Sequence, residues 1–430
     1  MEDVMLKLLG GGKLIVGYDL NDDYSQISYC ISGRDNVETF SLVEGAQDYN
    51  IPTLLCKREG TNQWFCGREA LRYCEESGGI LVGNLLKLAV DGEPVLIEGN
   101  SFEPVSLLTL FLKRSLGMLA RVASPDRIEA LMITCRQMAP RMVEVLKQAV
   151  AGLHLKTDKV FYQSHVESFY HFMLYQPEEL WRSRVVLMEY AEEAVRTYSM
   201  ECNKRTTPRV VYINEQDFPF TLHEPNKREE VLAMELNRMD RDMLEICQEI
   251  CSDNSVASIY LLGDTFSDTW MKESLKYLCS RQRVFQGNNL YSKGACFSML
   301  ERLEPSEAGK SHVFLGKDKL KVNVGMKILR QGEEIYFALL DAGVNWFEAE
   351  QTFEFYQQGG NRLEFRITSL IGKNNQLAEI ILEDLSEELS RLRAHLSLRD
   401  EHHIVVEIED LGLGAFRPAT HNVWREEIEV

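Results

Sequence analysis

The stretch Val16-Gly17-Tyr18-Asp19-Leu20-Asn21-Asp22-Asp23-Tyr24-Ser25 reads as a strand, a polar turn and the start of a second strand. Leu14, Val16 and Tyr18 alternate before the turn, and Ile27, Tyr29 and Ile31 alternate after it. That is the period-two pattern of a pleated pair, and Asn21-Asp22-Asp23 is good turn chemistry between the two runs. Two later stretches also bring an apolar strand to a turn rich in carboxylates. They are Leu187-Met188-Glu189-Tyr190-Ala191-Glu192-Glu193-Ala194 and Tyr260-Leu261-Leu262-Gly263-Asp264-Thr265-Phe266-Ser267.

Outward from these stretches, strands and helices alternate in two successive blocks. Glu103 to Val122 carries Leu107, Leu108, Phe111, Leu112, Leu116 and Leu119 at helical spacing. Glu129 to Thr134 reads as a buried strand, Ala139 to Ala151 as a helix, Val160 to Tyr162 as a strand and Glu167 to Leu174 as a helix. The alternation restarts with strands over Arg184–Glu189, Thr197–Glu201 and Arg209–Ile213. A long helix over Glu229–Cys251, a strand over Ile259–Leu262 and a helix over Asp268–Ser280 follow. Two α/β lobes are expected, at 1–182 and 183–302.

Beyond Arg302 the pattern changes. Residues 303–312 read as a linker. Period-two runs follow at Phe347 to Phe355, Leu363 to Ile367 and Ile404 to Ile408, separated by turns such as Gly372-Lys373-Asn374-Asn375. An all-β sandwich is expected over 313–430, interrupted by one helical piece over Leu385–Arg393, with no helical bundle after it.

The 430 residues suffice for two or three domains. Apolar and charged residues make up 45% and 26%, as in ordinary soluble chains, and no run of 18 apolar residues suggests a membrane span. The acidic start, Met1 to Leu9, does not read as a signal peptide. The expected compartment is the cytoplasm. Ten cysteines without a CxxC pair read as buried thiols, so no metal site is expected, and Cys247 with Cys251 falls on one helix face. A net charge of -19 and the lack of a basic stripe argue against nucleic acid.

The order of these elements resembles a DnaK-type heat-shock chaperone, in which an actin-like (ribonuclease H-like) ATPase domain is followed by a linker and a β-sandwich that holds peptides. Val16 to Ser25 resembles the first phosphate loop, and Ile51 to Leu71 the stretch that follows it. Met132 to Leu174 resembles the first connecting region, Arg184 to Met200 the second phosphate loop and Ile259 to Leu300 the adenosine segment, including Asn288-Asn289-Leu290-Tyr291-Ser292-Lys293-Gly294-Ala295. Val322 to Met326 and Ile404 to Gly414 resemble two strands of the peptide-binding sandwich. The closest resemblance is to an uncharacterised bacterial family of DnaK-like proteins rather than to DnaK itself.

The resemblance implies roles that these residues fill unevenly. Asp19 keeps the acid of the first loop, Lys87 sits where the catalytic lysine would, and Glu189 stands for the aspartate of the second loop. Ser164 occupies the place of an expected glutamate. The first loop carries Asn21, Asp22 and Asp23 where the family has glycine and two hydroxyls. The second carries Ala191, Glu192 and Glu193 for its glycines, and the third keeps Gly263 but has Asp264 for the next glycine. A carboxylate about 4 Å from a phosphate charge costs roughly 4 kcal/mol at an effective dielectric near 20. A few such contacts offset micromolar affinity, worth about 8 kcal/mol. Three readings of the acids stay open: solvated turns, a hold on a divalent cation or a partner's arginines, and residual ATP binding. In the sandwich, Met326, Leu329, Phe353, Leu363 and Phe365 match the peptide cleft, or fill the core.

The expected protein is therefore a pseudo-ATPase without a cofactor that binds protein or extended apolar peptide, or acts as a scaffold. One alternative is an ATP-dependent chaperone using Mg-ATP with Asp19, Lys87 and Glu189. The other is an actin-like assembly protein. The oligomeric state is left open.

Overall fold

The computed structural model describes residues 12–33, 36–222, 229–253, 255–370, 375–385 and 388–430. The Met1 to Leu9 segment and the Gly372 to Asn374 part of an expected turn lie outside the described residues. The chain is mixed α/β and forms two compact units, Met1–Phe314 and Leu315–Val430. Among the described residues no helix is long and apolar enough to cross a membrane.

The first unit holds two large sheets. One is built from β1 (Leu14–Leu20), β2 (Tyr24–Ile31), β3 (Glu38–Thr39), β4 (Ile128–Cys135) and β5 (Val160–Ser164), in the order β5-β4-β1-β2-β3, with the short strand Ile51–Pro52 also pairing with β2 as a sixth. The other is built from β6 (Arg184–Ala191), β7 (Ala194–Asn203), β8 (Arg209–Pro219), β9 (Val256–Leu262), β10 (Arg283–Gly287) and β11 (His312–Phe314), in the order β10-β9-β6-β7-β8-β11. The five-strand plan is the same in both. A lead strand forms an antiparallel hairpin with the next and a third follows, then two strands add in parallel on its other side. Tight turns make the hairpins, and helical crossovers make the parallel pairings. Every residue of β1 is buried, as a central strand covered on both faces requires.

The Leu290–Leu303 helix ties the two sheets together. Its Leu290 and Tyr291 belong to the apolar core against β6, β7 and β9. Its Ala295, Cys296 and Met299 belong to the core against β1 and β4. Two glycines let it approach closely. A Cβ on Gly294 would lie 1.9 Å from the Ser168 carbonyl oxygen in the neighbouring His165–Leu174 helix, and one on Gly17 of β1 would lie 2.3 Å from the Cys296 nitrogen.

The stretch expected as a linker, 303–312, is not one. It comprises the end of this helix, a short helix over Glu307–Ser311 and the start of β11, which pairs in parallel with β8. The Ser306 side chain caps the short helix through the Gly309 amide at 3.0 Å, a local signal that the Pro and Gly content hid.

The second unit contains β12 (Val322–Arg330), β13 (Glu333–Leu340), β14 (Gln351–Gln357), β15 (Arg362–Ser369), β16 (Asn375–Ile381), β17 (Ser390–Asp400), β18 (His403–Asp410) and β19 (Val423–Glu429). They form two four-stranded antiparallel sheets, β13-β12-β15-β16 and β14-β17-β18-β19. Of the helix expected over Leu385–Arg393, residues 386–387 lie outside the described residues, and from Ser390 the chain is instead β17, in which Ser390, Leu392, Ala394, Leu396 and Leu398 alternate as buried positions. Leu385, Leu389 and Leu392 mimic a helical spacing, but the period-two run that begins at Ser390 prevails.

Candidate functional site

The carboxyl ends of β1, β5, β6 and β9 open onto one cleft of about 310 Å³ within the first unit. Ligands of open α/β sheets bind at such strand ends. Asp19 reaches it from the end of β1, Asn21 and Asp23 from the β1–β2 turn, His165 from the residue after β5, Glu189 and Ala191 from β6, and Gly263 and Asp264 from just after β9. The three acidic turns of the sequence thus converge.

Asp19 is 3% exposed, and its Oδ1 lies 2.8 Å from His165 Nε2 and accepts from Asn21 Nδ2 at 3.0 Å. The His165 ring stacks on Tyr291 at 3.9 Å between centroids. Tyr291 donates its hydroxyl to Glu189 Oε2 at 2.7 Å, and Tyr198 donates to Glu189 Oε1 at 2.8 Å. The two retained acids therefore stand at the ends of one packed line of side chains, and each is already hydrogen-bonded by protein groups. Burial pushes the Tyr291 phenol well up, and the Glu189 charge adds to the shift.

Asp22 turns away from this line. Its carboxylate accepts from the Leu86 amide at 2.8 Å and the Lys87 amide at 3.2 Å, capping the Leu85–Asp91 helix. Burial raises the Asp22 carboxyl more than these two amides lower it. Lys87 projects from that helix into solvent and donates to Asp91 at 2.6 Å, which raises its pKa. It does not line the cleft.

The β6–β7 hairpin turns through Glu192 and Glu193, at φ 54° and 58°. Two positive φ angles are the backbone of a tight hairpin turn, where glycine or asparagine is the usual choice. Arg136, which follows β4, binds Glu192 with its two terminal guanidinium nitrogens at 2.7 and 3.3 Å. This ion pair joins the first sheet to the tip of the second. Gly263 takes φ 92° and donates its amide to Gly287.

Cleft potential is legible at Tyr24. Burial raises its phenol first, and Asp19, Glu189, Asp23 and Asp264 then add their charges. Four carboxylates thus act on one hydroxyl. Arg136, His165, Tyr198 and Tyr291 were not predicted as site residues. Their signal was indirect, because an acid ending a fully apolar strand needs a buried donor.

The peptide-cleft candidates do not gather in one place. Met326, Leu363 and Phe365 are buried, with Met326 opposite Phe365 in the β12–β15 pairing. Leu329 is 76% exposed. Phe353 is half-buried on β14, packed edge-on against Phe337 of β13 at 5.5 Å and near Phe355 at 5.4 Å.

Comparison with known families agrees with the division into two units. Residues 36–317 match the family described as "Family of unknown function (DUF5716) C-terminal", and the chain belongs to it. Residues 319–430 match "Domain of unknown function (DUF8552)". No curated protein matches the chain.

Proposed function

We propose that the first unit is a degenerate actin-like domain and that the chain is a DnaK-like protein- or peptide-binding or scaffolding module that does not turn over ATP. The repeated strand order in the two sheets supports the actin-like reading, and the two antiparallel sheets of the second unit support a β-sandwich. The observation that carries the functional reading is the occupation of both retained acids, Asp19 by His165 and Asn21, and Glu189 by Tyr198 and Tyr291. A metal-bound triphosphate would compete with these protein donors for Asp19 and Glu189, and Asp23 and Asp264 would still oppose it. Ten free thiols fit a reducing compartment, so we place the protein in the cytoplasm.

Calorimetric titration of the full chain with Mg-ATP is expected to give no micromolar binding. A saturable micromolar isotherm would sink the pseudo-ATPase reading.

The peptide half rests on the edge strands β13 and β14, where Phe337, Phe353 and Phe355 stand half-buried. An extended apolar peptide can add to such an edge. On an array of apolar peptides the full chain should show hits that weaken about tenfold in Phe353→Ser, which removes a half-buried aromatic contact. An absence of hits with folded protein would leave only the scaffolding role.

A further inference from the structure

Cys56 and Cys74 form a pair of thiols away from the cleft. Cys56 lies in the middle of the strand Leu55–Lys57, in a small sheet with Trp64–Cys66 and Ile80–Val82. Cys74 lies on the Arg68–Ser77 helix, which packs against that strand. The helix ends where the Gly78 amide donates to the Cys74 carbonyl at 3.2 Å. Gly78 and Gly79, at φ 71° and 154°, then return the chain to Ile80–Val82. Gly79 lies against both thiols. Cys74 Sγ donates to its carbonyl oxygen at 3.6 Å, and a Cβ on Gly79 would stand 2.7 Å from Cys56 Sγ. Glycine is what leaves room for the second sulfur there. The two thiols also act on each other. Burial raises the Cys56 thiol first, and the charge and hydrogen bond of Cys74 raise it further.

Exposure separates this pair from others in the chain. Cys247 with Cys251, and Cys296 with Cys30, also influence one another, but all four are buried. Cys56 is buried too, whereas Cys74 is half-buried. Tyr73 and Ser77, on either side of Cys74, line an open hollow of about 480 Å³ together with Arg58, Glu59 and Gly78. A small oxidant thus has a way to one sulfur, with the second held behind it. That is the arrangement of an oxidisable thiol beside a resolving one.

We infer that Cys56 and Cys74 are a reversible oxidation site for hydrogen peroxide, closing to an intramolecular disulfide. The Cys74 sulfur, having lost its proton, attacks one peroxide oxygen. The O–O bond breaks, the leaving hydroxide takes up that proton as water, and Cys74 becomes a sulfenic acid. The Cys56 sulfur then attacks the Cys74 sulfur. The S–S bond forms, the S–O bond breaks, and hydroxide leaves with the Cys56 proton as a second water. Two thiols have lost one electron each, and one peroxide has become two waters. In the reducing compartment proposed above, thiol exchange reopens the bond.

The test is peptide mapping of the full chain after exposure to a slight molar excess of hydrogen peroxide. Trypsin cuts after Arg34, Lys57, Arg72 and Lys87, so the two cysteines fall on separate peptides, 35–57 and 73–87, neither with another cysteine. A linked pair of these peptides is expected, lighter by two hydrogens than its parts and separated by dithiothreitol. Cys74→Ser should abolish the link and leave Cys56 a free thiol. Cys56→Ser should leave Cys74 as a sulfenic acid that a 1,3-diketone traps. Cys279→Ser, which removes an exposed thiol, should link as the parent does. If the buried Cys56→Ser fails to fold, the parent and Cys74→Ser decide alone. The inference is overturned if Cys74 passes to sulfinic acid, or stays reduced, with no linked pair. Linkage of Cys74 mainly to a different cysteine would also overturn it. So would oxidation of Cys56 at the parent's rate in Cys74→Ser, or an equal yield of the linked pair from chain unfolded in urea, which would owe nothing to the fold.

Discussion

Gly294→Ala should destabilise the protein, although glycine to alanine inside an ordinary helix stabilises by about 1 kcal/mol. Gly294 lies in the Leu290–Leu303 helix, and the added Cβ would sit 1.9 Å from the Ser168 carbonyl oxygen and 2.6 Å from its carbon. Those are backbone atoms, which cannot rotate aside as a side chain would. The helix must move off the His165–Leu174 helix, and with it the cores on both sheets that Tyr291, Ala295 and Cys296 help to fill. Overpacking of this kind typically costs about 1–3 kcal/mol, and Gly294→Val should exceed that range. The natural control is Gly117, which ends the Pro104–Gly117 helix in right-handed helical backbone with nothing within 4 Å of its added Cβ. Gly117→Ala should be neutral or stabilising by up to about 1 kcal/mol. Denaturant unfolding of both variants gives opposite signs if close helix packing holds the two sheets. A neutral or stabilising Gly294→Ala would mean that the helices separate at no cost.

The same displacement has a functional reading. Tyr291 precedes Gly294 by three residues, so it stands on nearly the same helix face. Moving the helix lifts the tyrosine off the His165 ring and away from Glu189. Gly294→Ala should therefore loosen the cleft as well as the fold.

What the sequence made legible follows from how local each signal is. β1 and β2 were readable because alternation and an Asn-Asp-Asp turn lie within a few residues. The alternation of strands and helices in two successive blocks was readable from element order, whereas the strand order within each sheet was not. The role of Asp22 was not, because its partners, the Leu86 and Lys87 amides, lie 64 and 65 residues away. The helix expected over Asp268–Ser280 erred for the same reason. It begins at Glu273, and the cap is the Asp240 carboxylate, which accepts from the Glu273 amide at 2.8 Å and the Ser274 amide at 3.0 Å. The Ser267 hydroxyl bonds the amide and hydroxyl of nearby Thr269 and does not reach the start of this helix. In the cleft, the acids were visible as residues, but their partners His165, Tyr198 and Tyr291 come from three other elements. Reading the charge without the partners gives the sign of the potential and misses that two of the acids are already bonded.

Asp410→Ala should be the most damaging single change in the second unit. Asp410 ends β18 and is 2% exposed. Its Oδ1 accepts from the Gly412 amide at 3.0 Å and from Arg417 Nη2 at 2.8 Å, and its Oδ2 accepts from the Thr420 hydroxyl at 2.7 Å. Arg417 also donates to Ser390 Oγ at 2.7 Å, so one buried carboxylate closes the whole 411–420 loop onto β17. Gly412 makes the return possible at φ 63°, where an added Cβ would lie 2.4 Å from the Ala419 nitrogen. Burial alone would raise the Asp410 carboxyl. The Thr420 hydroxyl, the Gly412 and Thr420 amides and the Arg417 charge outweigh it, and the carboxyl is held below its usual range. A carboxyl lowered on folding gives stability that is fully present above the unfolded value, about 3.9, and is lost as pH falls through the folded value. Removing Asp410 strands Arg417, whose side chain is only 19% exposed, and the loss of one partner of such a pair costs about 3–5 kcal/mol. Arg417→Met added to Asp410→Ala should recover part of that loss, because it removes the unpaired charge. Urea unfolding at neutral pH reads both changes, and an acid titration of stability reads the carboxyl. A loss below about 1 kcal/mol in Asp410→Ala, within the range of an exposed pair, would show that solvent rather than Asp410 satisfies the loop.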